Sequence, residues 1–275
     1  MFDISVNLTN KQFKKDKNDV INRAINNGVN GLLIIGSNLE NSYDAYKISK
    51  KYKNYCWSTV GLHPHYANLW NDNYVNKIIK LIKNDKVVAI GECGLDFYRN
   101  YSSIKEQLFA FHAQLELSYS FKIPIYLHCR NAFKFFFKIL KFWYYKIPAT
   151  IIHCFSGNEY ELKKCLDMNM SIGISELFFN SKYRKGFKND INLIPKNKLL
   201  IETDSPFLLF KKTYNKIYKK LKGRNEPSLL PNLLKKISLL RNEIFSELDK
   251  QTEINTFKIL KLNKNNCNYN FNNLK

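Results

Sequence analysis

The sequence predicts an α/β chain folded as a (β/α)8 TIM barrel. Apolar, β-branched runs recur eight times along the chain, and amphipathic segments separate them, which is the signature of a parallel sheet with helical crossovers. The runs are near-continuously apolar, as strands covered on both faces must be. The length of 275 residues also suits one barrel, which needs roughly 250. An open doubly wound sheet is the competing architecture, but no G-x-G-x-x-G follows any strand to support it.

Taken in order, the first strand is FDISVNL at 2–8, followed by a helix over 11–27 with Phe13, Val20, Ile21 and Ala24 on one side. The second is GLLIIGS at 31–37, the third CWSTVGLH at 56–63 and the fourth KVVAIGEC at 86–93. The stretch 102–120 has Leu108, Phe111, Leu115 and Leu117 near helical spacing, with Ser102 or Ser103 available as its cap. The fifth strand, IPIYLHC at 123–129, precedes a helix at 131–142. The last three are ATIIHCF at 149–155, MSIGIS at 170–175 and LLIETDS at 199–205. A single domain is therefore expected over 1–262. Residues 263–275, Asn-rich and including Cys267, read as a disordered tail.

Composition excludes several classes. No run of about 18 apolar residues is available to span a membrane. The start lacks the basic-then-apolar pattern of a signal peptide, so a cytoplasmic protein is expected. Six cysteines without any C-x-x-C fit reduced thiols in that compartment. The formal charge of +21 would attract phosphate at low salt. Arginine stands only at 23, 99, 130, 184, 224 and 241, however, and Lys, Asn, Ile, Tyr and Phe are abundant together. That mixture is also what an A/T-biased coding sequence yields, so charge alone names no substrate.

Three strands end in a candidate metal ligand with a thiol beside it: Glu92–Cys93, His128–Cys129 and His153–Cys154. Strand residues alternate between faces. If His128 points into the barrel, Tyr126 does too, and Leu127 and Cys129 face the helices; the same alternation turns Glu92 and His153 inward and Cys93 and Cys154 outward. The cysteines then act as small apolar fillers. Asp204 also ends a strand. Each residue alone has an ordinary structural role, as a turn former or a satisfied polar group. Two histidines and two carboxylates at the carboxyl ends of strands four, five, six and eight form a set, and they lie where barrel enzymes place their chemistry. Such mixed N/O donors suit Zn, Mn, Fe or, less comfortably, Mg.

The segments GLHPHYA, AIGECGLDFYRN, Gln107 with FHAQL, PIYLHCR, IHCFSG, LLIETDSPFL and RNEP at 224–227, in this order and over roughly 2–260, resemble the TatD family of metal-dependent nucleases. The opening MFDISVNLT and GVNGLLIIGSN fit the same family. The resemblance implies the amidohydrolase-like type of metal-dependent barrel. It also implies a 3′–5′ exonuclease on single-stranded DNA, with RNA as a further substrate, a part in DNA repair, and a divalent cation, Mg2+ in use with Mn2+ or Zn2+ as alternatives. A monomer is expected.

Carried onto this chain, the metal ligands are Glu92, His128, His153 and Asp204, with Asp204 also serving to orient or deprotonate water. Where most relatives carry His-x-His in strand one, this chain has Ser5 and Asn7, inward by the same alternation as Asp3, so the number of ions, one or two, stays open. His63, His65 and Arg130 are candidates for contacting phosphate. Glu202, a layer below Asp204, is expected to support a ligand, and Arg224 and Glu226 to organise the rim. Phe97 and Tyr98 are candidates for stacking on bases. The rival readings are an amide or ester hydrolase on the same metal chemistry, and a nucleic-acid-binding protein without catalysis.

Overall fold

A computed structural model describes residues 1–182, 184, 186 and 188–262; the expected tail at 263–275, with Cys267, lies outside the described residues. Eight parallel strands follow one another around the sheet in chain order. They are β1 (Phe2–Val6), β2 (Gly31–Ile34), β3 (Cys56–Val60), β4 (Val87–Asp96), β5 (Ile125–Arg130), β6 (Thr150–Ile152), β7 (Ser171–Ile174) and β8 (Leu199–Ile201). A parallel bridge between Val6 and Ser205, with Asn7 N–H donating to Ser205 O at 2.8 Å, joins the last strand to the first. The sheet is thus a nearly closed barrel and not the open doubly wound alternative.

The helices are α1 (Lys17–Asn26), α2 (Leu39–Lys51), α3 (Asp72–Ile82), α4 (Ile104–Phe121), α5 (Phe133–Trp143), α6 (Glu159–Asp167), α7 (Asn215–Lys220), α8 (Leu230–Arg241) and α9 (Phe245–Ile259). None is long and apolar enough to cross a membrane. The barrel interior is filled by Phe2, Ile4, Leu33, Ile35, Trp57, Ala89, Tyr126, Ile151 and Leu200. Phe257 and Leu260 of α9 join the same cluster, and the Phe257 ring meets Phe2 edge-on at 6.0 Å. The amino-terminal mouth is therefore plugged by α9, which leaves the carboxyl-terminal mouth for a site. A larger shell of apolar side chains, including Val20, Ile21, Phe111, Leu115, Phe136 and Leu234, fills the space between strands and helices.

Several element boundaries differ from expectation. The 11–27 segment is not one helix: Lys11–Phe13 is a single 3-10 turn capped by Asn10, and α1 starts at Lys17. Asp16 breaks the run at φ −137° while its carboxylate binds Arg23 and Arg224. After β7 the described residues of the crossover hold only 3-10 turns, Glu176–Phe179, Lys188–Leu193 and Lys196–Lys198. β6 and β8 stop earlier than expected, at Ile152 and Ile201, because the chain leaves the ladder where site residues begin. β4 instead continues to Asp96. Gly94, at φ +136°, lets it pass His128 of β5, whose carbonyl oxygen would collide with any added Cβ.

Candidate metal centre

The alternation along β5 brings Tyr126 and His128, and the segment just past β8 brings Glu202 and Asp204, to the interior side of the carboxyl-terminal mouth. Three imidazoles converge there on one carboxylate oxygen. Glu92 Oε1 lies 2.8 Å from His153 Nε2, 2.9 Å from His128 Nδ1 and 3.3 Å from His63 Nε2. His128 Nδ1 and His153 Nε2 are themselves 3.3 Å apart. Glu92, His63 and His153 are buried and His128 nearly so. Burial pushes the Glu92 carboxyl up, but the charge of His153 and the hydrogen bonds of His128 and His153 win, holding it well below the carboxylate range. Burial likewise opposes charge on His153 and His128. Glu92 with Glu202 raises the former well above an ordinary imidazole, and Asp96 with Glu92 raises the latter.

The far sides of the rings decide which nitrogens can bind a cation. His128 Nε2 and His153 Nδ1 are buried without a hydrogen-bond partner. Each faces a carboxylate just beyond hydrogen-bond range, Asp96 at 3.5 Å and Glu202 at 3.7 Å. A carboxylate behind a ring fixes the proton on that side and leaves a lone pair on the other. Once the protons that these rings share with Glu92 are displaced, His128 Nδ1 and His153 Nε2 present lone pairs to a cation beside Glu92. This donor set, two imidazoles and a carboxylate backed by two further carboxylates, fits a divalent cation.

His63 is set differently. Its Nδ1 accepts the His65 backbone N–H at 3.1 Å, so a neutral ring carries its proton on Nε2, the atom that faces Glu92. Burial pushes His63 down to about 4, against the pull of Glu92, so neutral is its resting state. Although it lies within 4.8 Å of Glu92 and His128 as a third potential ligand, its tautomer makes it a hydrogen-bond donor. His65 Nε2 contacts Asp96 Oδ2 at 2.8 Å, and its ring packs edge-on against exposed Tyr101.

Asp204 lies beside this cluster but outside the tightest donor groups. Its Oδ1 accepts from Asn7 Nδ2 at 3.1 Å and from Ser5 Oγ at 3.3 Å. Asp204 has φ +53°, a left-handed conformation that a side chain tolerates at a cost. Burial pushes its carboxyl up to about 7, with His153 opposing and Glu92 and Glu202 reinforcing the rise. Glu202 is fully buried and accepts from Tyr126 Oη at 3.0 Å and from the Cys154 backbone N–H.

Asp96 belongs to the site and was missed by sequence reasoning, which ended strand four at Cys93. Its signal is the alternation 92, 94, 96 inside the quoted GECGLD motif. Burial pushes Asp96 up, yet His128, His65 and the Arg99 N–H hold its carboxyl well below the usual range. Alternation fails at two places. A register shift lies between Asp3 and Val6, so Ile4 packs inside while Asp3 turns away from the mouth to accept from Thr203 N and Oγ1 at 3.0 and 2.6 Å. At φ +47° Cys154 ends the β6 alternation. Its thiol lies within 4.8 Å of His153 and Glu202 and contacts Ser175 Oγ at 3.0 Å, instead of pointing away from the site. Cys93 lies in the strand–helix core and Cys129 packs against it, and burial raises all three thiols well above their ordinary value.

The remaining expected residues line or brace the mouth. Arg130 ends β5 with its guanidinium 4.0 Å over the Tyr98 ring, and no carboxylate among the described residues pairs with it. Tyr98 is exposed, whereas Phe97 is partly buried against the core and meets Phe135 at 5.6 Å. Arg224 and Glu226 contact each other at 2.6 Å and also reach α1: Arg224 binds Asp16 at 2.7 Å, and Glu226 binds Arg23 at 2.7 Å. They join the rim to α1 rather than enter the cluster around Glu92.

Fold and donor set together define a class, the hydrolase-type (β/α)8 barrel with an imidazole–carboxylate pocket at its carboxyl-terminal mouth. The model of the TatD-related DNase family matches residues 2–261. A 3′–5′ ssDNA/RNA exonuclease TatD of Pantoea ananatis is 42% identical over 262 residues, covering 95% of this chain and 100% of the relative. A TatD-family hydrolase of Entamoeba histolytica superposes with a TM-score of 0.86 at 27% identity, covering 96% of this chain and 98% of the other. An uncharacterized amidohydrolase of Saccharomyces cerevisiae shares the fold, with a TM-score of 0.79 at 22% identity over 94% of this chain and 99% of its own. The chain belongs to the TatD-related DNase family.

Proposed function

We propose that this chain is a metal-dependent nuclease that hydrolyses phosphodiester bonds, as a 3′–5′ exonuclease on single-stranded DNA and RNA. The observation that carries the proposal is the convergence of His128 Nδ1 and His153 Nε2 on Glu92 Oε1, with Asp96 and Glu202 facing the far side of each ring at 3.5 and 3.7 Å. The naming of the 42%-identical relative as an ssDNA/RNA exonuclease supports the substrate class.

In this reading Glu92, His128 and His153 hold a divalent cation, with Mg2+ in use and Mn2+ or Zn2+ as alternatives, and Asp204 completes the set. When bound, the cation supplies a water of lowered pKa and neutralises charge on phosphoryl oxygens. Asp204, fixed by Asn7 and Ser5, orients the attacking water and takes its proton. Because Ser5 and Asn7 spend their hydrogens on Asp204, strand one positions a base and contributes no ligand, which favours a single tightly held ion. His63 donates from Nε2 to a phosphoryl oxygen. Arg130, held over Tyr98, grips the neighbouring phosphate. The free thiols of all five described cysteines fit the reducing cytoplasm.

The test is incubation of metal-loaded protein with end-labelled single- and double-stranded DNA and RNA, beside a panel of amides and esters. Stepwise shortening from the 3′ end that stops with EDTA is the expected result. Turnover of an amide or ester with the nucleic acids left intact would overturn the proposal.

A further inference from the structure

The segment after β8 carries a feature that the pocket does not use. Residues 205–225 contain seven basic residues, Lys211, Lys212, Lys216, Lys219, Lys220, Lys222 and Arg224, and no Asp or Glu. Arg224 is committed to Asp16 and Glu226. The six lysines are all exposed, and none of them forms an ion pair among the described residues. Two other lysine-rich helices interleave acids: α9 has Glu247, Asp249 and Glu253, and α2 has Glu40 and Asp44. α5 and α8 carry basic residues without acids, but both bury an apolar face in the core, which α7 does not.

The segment starts one residue after Asp204 and returns to the same place. Asn225 N–H donates to Pro206 O, and Asn225 Nδ2 donates to Thr203 O, both at 2.9 Å. Between these points Tyr214 Oη binds Glu176 at 2.5 Å, and Lys236 of α8 neutralises the same carboxylate at 2.8 Å. The excursion is thus fixed at both ends and in the middle, beside the mouth. Its short helix α7 buries no residue. A helix of six residues is far too short to be stable alone, and one that packs nothing into a core gains little from burial. Concentrating unpaired like charges there costs stability through repulsion. A polyanion lying across them would offset that cost.

We propose that the 207–224 excursion is the track for the phosphate backbone of a single-stranded polynucleotide whose end lies at the Glu92–His128–His153 pocket. This rests on the nuclease reading for the position of the strand's end, while the affinity of the track itself is measurable without turnover. An anionic bilayer is the less suited partner. It calls for an apolar stripe beside the lysines, and the two apolar residues of α7, Ile217 and Tyr218, are half-buried, with the Tyr218 ring packed over Gly223.

The experiment compares wild type with a track variant, K211Q/K212Q/K216Q/K219Q/K220Q, and a control, K50Q/K77Q/K80Q/K138Q/K141Q, of equal charge change on the exposed faces of α2, α3 and α5. All three are metal-loaded and checked for equal melting temperature. Binding is read by fluorescence anisotropy with a phosphorothioate oligothymidylate of about 20 nucleotides, long enough to cover pocket and track. Hydrolysis of bis(p-nitrophenyl) phosphate reports the pocket separately. The track variant should bind the oligonucleotide about 10-fold or more weaker and hydrolyse the small diester as wild type does. Its affinity should also depend less steeply on salt, the log–log slope falling by about 0.7 for each phosphate that a lysine no longer neutralises. The control should match wild type. Equal weakening in both variants would reduce the effect to net charge and overturn the track. So would unchanged DNA affinity in the track variant, including the case where it loses only binding to phosphatidylglycerol vesicles. Wild type that binds DNA through the track but cleaves no phosphodiester would sink the nuclease reading alone.

Discussion

The proton position on each imidazole assigns its role, and single substitutions separate those roles. His153→Ala removes a ligand whose lone pair faces Glu92, so metal content and activity should fall together. Asp204→Asn keeps shape, and its amide oxygen can still accept from Asn7, but it takes no proton; metal should stay while turnover falls by roughly 10²–10⁴-fold. His63→Ala is the sharper test. Because Nδ1 accepts from His65 N–H, His63 offers its surroundings a proton and not a lone pair. Metal content by plasma emission should be unchanged, with turnover lower by roughly 10²-fold. Loss of metal in this variant would make His63 a ligand and defeat the tautomer assignment. Much of this was legible as sequence: Glu92, His128, His153 and Asp204 all sit where an apolar run ends. Asp96 was not, because the strand was read as ending at Cys93, just before Gly94, whose positive φ is what lets it run on beside His128. No local rule foretold the β1 register shift or the left-handed Cys154, since both are settled by contacts with distant strands.

Among the elements, α4 does more than cover the sheet. It begins with a capping box between Ser103 and Glu106, and its low amphipathicity is explained by two glutamines on its buried face. Gln107 accepts from Asp96 N–H at 2.9 Å and donates to Asp96 O at 3.2 Å and Ser102 O at 3.0 Å. Gln114 accepts from Leu62 N–H at 2.7 Å and donates to Leu62 O at 3.1 Å. One helix thus holds the backbone of the carboxylate behind His128 and of the residue before His63. Gln107→Met keeps the volume and leaves the buried Asp96 N–H without a partner. It should cost about 1–3 kcal/mol in urea unfolding and lower turnover with metal still bound. An unchanged urea unfolding curve would mean that water replaces the amide. The β1–β8 seam gives a second expectation. Burial pushes Asp3 up to about 8, against its bonds to Thr203 and Ser5, so the folded chain keeps this proton over a range where the unfolded chain has lost it. More protons bound when folded means that stability falls as pH rises from about 4 to 8, by of order 1 kcal/mol per unit from this group. Asp3→Asn stays neutral and should lose that slope; parallel wild-type and variant curves would refute it.

At the scale of the whole molecule, the barrel was the most legible feature, because eight apolar runs of similar spacing leave few topologies in which each strand pairs with its neighbour. The same closure makes the metal centre a structural joint. Glu92 comes from β4, His128 from β5, His153 from the end of β6, and Glu202 and Asp204 from beyond β8. Without a cation, these groups hold together by sharing protons among three imidazoles and a cluster of buried carboxylates, and burial opposes nearly every charge in it. A cation that binds only this assembled arrangement stabilises the fold by mass action, about 2.7 kcal/mol at a concentration 100-fold above its dissociation constant. For a chain of this size each kcal/mol moves the midpoint by roughly 2–4 °C, so loading with Mn2+ or Mg2+ should raise Tm by about 5–10 °C over the EDTA-treated protein. The gain should grow with metal concentration, vanish in His153→Ala, and persist in Asp204→Asn, where three of the four donors remain. A Tm that ignores both chelation and metal concentration would mean that the convergence on Glu92 is a proton-sharing cluster with no cation to hold.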